Sequence, residues 1–260
     1  MDPIRQFQTQ VQKNVTFLGD NQKLFQLSLE WMMSVGEGNY SYNFAWLGRP
    51  IIQYPQDICA MQELIWKVQP DLIIETGIAH GGSLIFSASM LALLDYCEAQ
   101  QNGTVLDPAQ PNRKVVGIDI DIRSHNRREI EAHPMSSRIQ MIEGSSIDPQ
   151  IIEQVYAIKK NFQRILVCLD SNHTHDHVLA ELEAYAPLTS LGSYCIVLDT
   201  AIEDCPADIF SDRPWGVGNN PKTAVWEYLK THPEFEIDKS IQHKLLITVA
   251  PDGYLKRVQS

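Results

Sequence analysis

The sequence lacks any apolar run close to the ~20 residues that a membrane-crossing helix needs. Its first stretch, "MDPIRQFQTQVQKN", is polar and has no signal-peptide core. A soluble, cytosolic protein is expected. Cysteine is scarce: Cys59, Cys97, Cys168, Cys195 and Cys205 form an odd set with no CxxC pair, which points to a reducing compartment. Cys168 and Cys195 lie inside apolar runs and read as small buried hydrophobes. Positive charge is also short, with 21 Lys and Arg against 32 Asp and Glu and a net charge of −11. Such a surface repels phosphate backbones, so nucleic acid is not an expected partner. The one basic cluster, "RSHNRR" at 123–128, is followed by Glu129 and Glu131 and reads as a solvated helix start. Neither GxGxxG nor GxxxxGK[ST] is present, which disfavours a dinucleotide fingerprint and a P-loop. No internal repeat occurs.

What is present is enough core for one large domain with additions, or two small ones: 260 residues, 44% of them hydrophobic. Residues 1–20 are polar and expected to fray. Leu24, Leu27, Trp31 and Val35 recur at helical spacing, and "PQDICAMQELIWKVQP" predicts a second helix. Between them, "NYSYNFAWLGRPIIQYP" is aromatic and irregular, and is expected to pack over something. The pattern then changes. The runs "DLIIETG", "KVVGIDIDI", "RIQMIEG", "RILVCLD" and "GSYCIVLD" alternate with helical segments, the signature of a mostly parallel sheet covered on both faces. A helix at "TAVWEYLKTHP" and two more strands in "EFEIDKSIQHKLLITVAPDGYLKRV" complete the chain. We therefore expect an α/β, Rossmann-like, doubly wound domain over residues 70–260, preceded by a helical, aromatic-rich extension over residues 1–69.

Ligands of open parallel sheets bind beyond the carboxyl ends of the strands. There "ETGIAHGGS" supplies Glu75, Gly77, Gly81, Gly82 and Ser83. Gly77 suits a tight turn, and Gly81 and Gly82 permit close approach of a ligand or of the following helix. Glu75 would repel a phosphate and attract an ammonium. Asp119, ending the second strand, can accept hydrogen bonds from both hydroxyls of a ribose. Ser145 and Ser146 after the third strand lie toward the base, and Asp148 reads as a helix cap. Acids around a glycine turn suit a cationic, phosphate-free nucleoside, and S-adenosylmethionine fits.

With these segments the chain resembles the class I S-adenosylmethionine-dependent methyltransferases, and within them the cephalosporin hydroxylase and rhamnosyl O-methyltransferase family. The resemblance spans roughly residues 55–258 and rests on "ETGIAHGGS", "VVGIDIDIR", "EGSSIDP", "VCLDSNHTHDHVLAELEAYAPL", "GSYCIVLDT" and "PDGYLKRV". It implies a seven-stranded sheet with an antiparallel last strand. It also implies a divalent metal, usually Mg2+, on carboxylates after the fourth and fifth strands, here Asp170 and Asp199. Relatives often carry Glu-Asp-Thr after the fifth strand where this chain has Leu198-Asp199-Thr200, so one acid is missing. Asn172, Glu203 or Asp204 are candidates to replace it, unless the site is weakened or lost.

The resemblance thus implies an O-methyltransferase acting on a hydroxyl of a sugar or small natural product. Alternatives are an oxygenase of a natural product and a non-catalytic relative working through its surface. His173, just past the fourth strand, is the candidate base, because an imidazole with its ordinary pKa near 6.5 suits proton transfer at neutral pH. Asp170 is assigned to catalysis beside it. His175 and His177 read as structural or solvent-facing residues of a helix start. His173 and His177 have zinc-like i, i+4 spacing, but no glutamate follows His173 and no third ligand is evident. Trp215, Tyr40, Tyr42 and Trp46 either line an acceptor pocket or pack in a core or interface. Lys222, at a helix start, is expected to face solvent. A homo-oligomer is left open.

Overall fold

A computed structural model describes residues 2–259. Three helices come first: α1 (Pro3–Gly19), α2 (Gln22–Gly36) and α3 (Pro55–Val68). Asp2 caps α1 by accepting from the Ile4 N–H, so this stretch is a helix and not a frayed end. Its polar composition hides an i, i+3/i+4 stripe of Phe7, Val11, Val15 and Leu18. Between α2 and α3 a hairpin forms from β1 (Phe44–Trp46) and β2 (Arg49–Ile51). Trp46 stacks edge-on against Phe86 at 4.8 Å and donates from Nε1 to Ser89 Oγ at 2.9 Å. The hairpin therefore packs over the main helix of the domain.

The five runs read as strands are β3 (Leu72–Thr76), β4 (Lys114–Asp119), β5 (Ile139–Glu143), β6 (Ile165–Leu169) and β7 (Tyr194–Val197). Between them lie α4 (Gly82–Asn102), α5 (Ser124–Glu131), α6 (Pro149–Lys159) and α7 (His175–Tyr185). The chain ends with α8 (Pro221–Tyr228), β8 (Phe235–Ile237), α9 (Lys239–Leu245) and β9 (Tyr254–Arg257). The sheet has seven strands in the order β5-β4-β3-β6-β7-β9-β8. The pairs from β5 to β7 are parallel, and β9 runs antiparallel to both of its neighbours. Helix α9 interrupts a tail that the sequence suggested as strands alone.

Period-two alternation places successive strand residues on opposite faces. Ile73, Leu166, Cys168, Tyr194 and Ile196 join one buried cluster with α3 and α4. Leu72, Ile74, Val167, Cys195 and Val197 join another with α7 and α8. Ala60, Met61, Leu64 and Ile65 of α3 lie in the first cluster, so α3 is integral to the domain core. Asp57 of α3 is buried and accepts from Thr248 Oγ1, the Val249 N–H and the Tyr254 hydroxyl, tying α3 to the segment entering β9. Cys168 and Cys195 are buried free thiols, as expected. No helix among the described residues is long and apolar enough to cross a membrane.

Candidate functional site

The strand order reverses between β3 and β6, where β3 has β4 on one side and β6 on the other. Connections diverge there and leave a crevice at the carboxyl ends. A cleft of about 280 Å³ occupies it, lined by Gly77, Ser83, Asp119, Ser145, Ser146 and Asp170. Among the described residues no lysine or arginine lines it. Gly77 has φ +87°, and a side chain there would overlap the Asp170 carbonyl, so the turn out of β3 requires glycine. Glu75 is buried behind the turn and accepts from Ser83 Oγ. Burial pushes the Glu75 carboxyl up to about 7, while the Ser83 hydrogen bond pulls it the other way. Ser83 thus relays between the buried acid and the cleft.

Asp119 is more occupied than its position suggested. Its Oδ2 accepts from the Ile78 and Ala79 N–H groups at 2.7 and 3.3 Å, and its Oδ1 from the Asp121 N–H at 3.1 Å. A carboxylate has roughly four acceptor sites, so room remains for about one further donor where two were expected. Gly81 stands apart from the cleft. With φ +82° it caps α4 and faces Ile130 of α5, and it is not among the cleft-lining residues. Gly82 does line the cleft. The glycine turn is held from outside by two residues without an evident sequence signal. Arg49 donates to the His80 carbonyl at 2.6 and 3.1 Å and to Asn126 Oδ1 at 3.0 Å, and Asn126 donates to the Ala79 carbonyl at 2.9 Å. Asn126 is buried, so the basic cluster is not simply a solvated helix start.

At the far end of the cleft, Asp170, His173 and Asp199 converge, with one donor atom from each within 4.8 Å of the others. His173 Nε2 lies 3.2 Å from Asp199 Oδ2. Trp215 packs on the His173 ring at 4.8 Å between centroids. Asp199 adopts a left-handed conformation, φ +55°, uncommon for a non-glycine residue and frequent where a side chain is aimed for function. Burial and the neighbouring Asp199 carboxylate hold the Asp170 carboxyl well above its ordinary range.

Two candidates for the missing acid, Glu203 and Asp204, do not join this cluster. Glu203 accepts from the Gly218 N–H at 2.8 Å and from Asn220 Nδ2, clamping the loop before α8. Asp204 pairs with Lys222 Nζ at 2.6 Å, and Lys222 is buried, not solvent-facing. Asn172 Oδ1 accepts from the Thr174 N–H and hydroxyl at 2.9 and 2.7 Å. Leu198 points into the core below, and the third donor beside the two aspartates is His173.

The other histidines divide. His175 is structural: Nδ1 lies 2.8 Å from Thr223 Oγ1 and Nε2 3.3 Å from Glu227, joining α7 to α8. His177 lines the cleft instead, with Nε2 at 3.1 Å from Ser146 Oγ and 3.2 Å from Ser171 Oγ. Ser171 in turn donates to the buried Glu181 at 2.7 Å. Among the aromatics, Trp215 reaches the cluster and Trp46 belongs to the core. Tyr40 packs with Trp31, Phe44 and Tyr54, and Tyr42 is exposed.

The family model for rhamnosyl O-methyltransferase/CmcI matches residues 38–258. The chain belongs to this family. The rhamnosyl O-methyltransferase of Mycobacterium tuberculosis (strain ATCC 25618 / H37Rv) is 32% identical over 203 residues, covering 77% of this chain and 73% of that protein. The Mycobacterium leprae (strain TN) rhamnosyl O-methyltransferase is 29% identical over 223 residues, covering 85% and 86%. A CmcI structure with magnesium and SAM has a TM-score of 0.52 at 17% identity, over 84% of this chain and 78% of that one. An O-methyltransferase from Bacillus cereus in complex with SAH has a TM-score of 0.50 at 15% identity, over 80% and 81%. At these identities the likeness establishes the class I methyltransferase fold. Helices α1 and α2 precede the segment shared with the family.

Proposed function

We propose that the protein is an O-methyltransferase that uses S-adenosylmethionine, and Mg2+, to methylate a hydroxyl of a sugar or small natural product. The observation that carries this reading is the Asp170–His173–Asp199 cluster at the end of an acidic cleft that no lysine or arginine lines among the described residues. The cleft suits a cationic nucleoside without phosphate. Glu75 through Ser83 would meet an amino group, Asp119 a ribose hydroxyl, and Ser145 and Ser146 the base. The cluster suits a hard divalent cation: two carboxylates stand close together, and burial and then the Asp199 carboxylate raise the Asp170 carboxyl above its ordinary range. Asp170 and Asp199 would hold the ion, and when bound it would supply charge that makes an acceptor hydroxyl more acidic.

His173 is assigned the proton. His173 Nε2 lies 3.2 Å from Asp199 Oδ2, and a proton held on Nε2 would leave Nδ1 as the basic nitrogen. Trp215 packs on the ring and restricts it. Deprotonation of the hydroxyl then accompanies attack of its oxygen on the sulfonium methyl; the S–CH3 bond breaks with its electrons going to sulfur, the demethylated thioether leaves, and the proton stays on the imidazole. Titration calorimetry with S-adenosylmethionine and its demethylated product tests the reading. Both should bind, and methyl transfer should be lost in chelator and restored by Mg2+. Absence of binding by either compound would sink it.

A further inference from the structure

A sulfonium methyl donor brings an amino group, a nucleoside and a carboxylate into the cleft. Glu75 with Ser83 suits the amino group, and Asp119, Ser145 and Ser146 suit the nucleoside. The carboxylate is left without a counterpart, because among the described residues no lysine or arginine lines the cleft. A carboxylate taken out of water with no partner is strongly destabilised. Neutral donors have to meet it, and they suit the donor for a second reason. A fixed cation here would repel the positive sulfur that the chemistry needs.

Two sets of neutral donors are present. Helix α4 begins at Gly81, which has no side chain to cap it, so the first-turn amides at Gly82 and Ser83 are left for a ligand. Both residues line the cleft, and the start of a 21-residue helix favours an anion. The second donor is Gln53, in the link between β2 and α3. It is only 9% exposed, and its carboxamide makes no hydrogen bond to another described residue. It lines the cleft and shares a narrow recess with Glu75, Ser83 and Asp170. A buried amide without a partner is rare in a folded protein and points to a ligand. The chain around it leaves little freedom. Ile51 and Tyr54 are buried on either side, and Pro55 starts α3. Pro50 lies so near α4 that a side chain on Gly82 would overlap its carbonyl, and Arg49 ties the hairpin to the His80 carbonyl.

We propose that Gln53 and the first turn of α4 form a carboxylate subsite, and that the Gln53 amide is the specificity-determining group that tells an amino acid arm from a plain amine. Gln53 Nε2 donates to the carboxylate, and the α4 amides supply the remaining donors. Ser83 serves both neighbours, its hydroxyl on Glu75 and its backbone amide on the carboxylate. The inference rests on the methyltransferase reading and adds a recognition residue to that site.

Titration calorimetry with two ligands tests it: S-adenosylhomocysteine, and its decarboxylated form, which keeps the nucleoside, the sulfur and the amine. Wild type should bind the carboxylate-bearing compound roughly tenfold to a hundredfold more tightly, the range of hydrogen bonds to a charged group. Gln53→Leu should cut that ratio about tenfold, with the loss falling on the carboxylate-bearing compound. Gln53→Glu keeps the size of the side chain, so it decides the matter should the leucine variant not fold. It should reverse the preference by setting a like charge beside the carboxylate. If the variants lose affinity for both compounds equally, Gln53 is structural. An unchanged ratio in the variants, or equal binding of the two compounds by wild type, removes it from the carboxylate. Each of these results overturns the subsite while ligand binding by wild type stands. Wild type that binds neither compound refutes the methyl-donor reading and the subsite together.

Discussion

His173 sits where two roles compete. Its Nε2 lies 3.2 Å from Asp199 Oδ2, and its ring is one of the three groups placed to hold an ion. The two roles predict different losses. As a base, His173→Ala should lower kcat by roughly 10²–10⁴ and leave Mg2+ affinity within a few-fold of wild type. A matching collapse of Mg2+ affinity, measured by calorimetry beside the turnover assay, would make it a ligand instead. The donor types of this site were legible in the sequence: Asp170, His173 and Asp199 stand out as polar groups just beyond apolar strands. Their pairing was not. Glu203 and Asp204 look equally available in a linear reading, because what withdraws them lies 15 to 18 residues on, at Gly218, Asn220 and Lys222. His177 was hidden for a similar reason. Its neighbours Ser146 and Ser171 come from two different strand ends.

At the scale of elements, the link from β3 to α4 has the least freedom. Gly77 combines a left-handed backbone with an approach to the Asp170 carbonyl that leaves no room for a methyl group. Gly103, ending α4, shares the left-handed backbone at φ +63° but has nothing within 4 Å of the added position. Gly103→Ala should therefore cost only the backbone penalty, roughly 1–2 kcal/mol, and keep cofactor binding. Gly77→Ala should cost more and abolish binding, because β3 and β6 must separate. Denaturant midpoints with calorimetry on both variants would check this, and equal behaviour would contradict it. The five parallel strands were legible because they are continuous apolar runs. The hairpin of β1 and β2 was not, since three-residue strands carry too little alternation to read. Helix α9 was missed for its brevity: seven residues between two strand patterns. Helix α1 was missed because polar residues surround its narrow apolar stripe.

For the whole molecule, burial of acids sets a pH dependence. Asp57 is raised from 3.8 to about 6, by burial first and against the pull of its hydrogen bonds from Thr248, Val249 and Tyr254. The folded protein holds this proton more tightly than the unfolded chain. Its stabilising contribution is fully present below the unfolded pKa and is lost as pH rises through about 6. Asp57→Asn should flatten that part of the profile, so that wild type and variant differ by up to about 3 kcal/mol more at pH 4 than at pH 8. Urea midpoints across that span would show it, and parallel profiles would refute it. The same region of the molecule bears on how the chain is made. Strand β9 lies between β7 and β8 yet is the last of the three to leave the ribosome. Until it arrives, β8 has no partner and β7 shows a bare edge of unpaired amides, the kind of surface that recruits other chains. The nascent protein thus passes through an adhesive stage that ends only when Tyr254–Arg257 slots in, and the hydrogen bonds of Asp57 to Thr248, Val249 and Tyr254 help latch it shut.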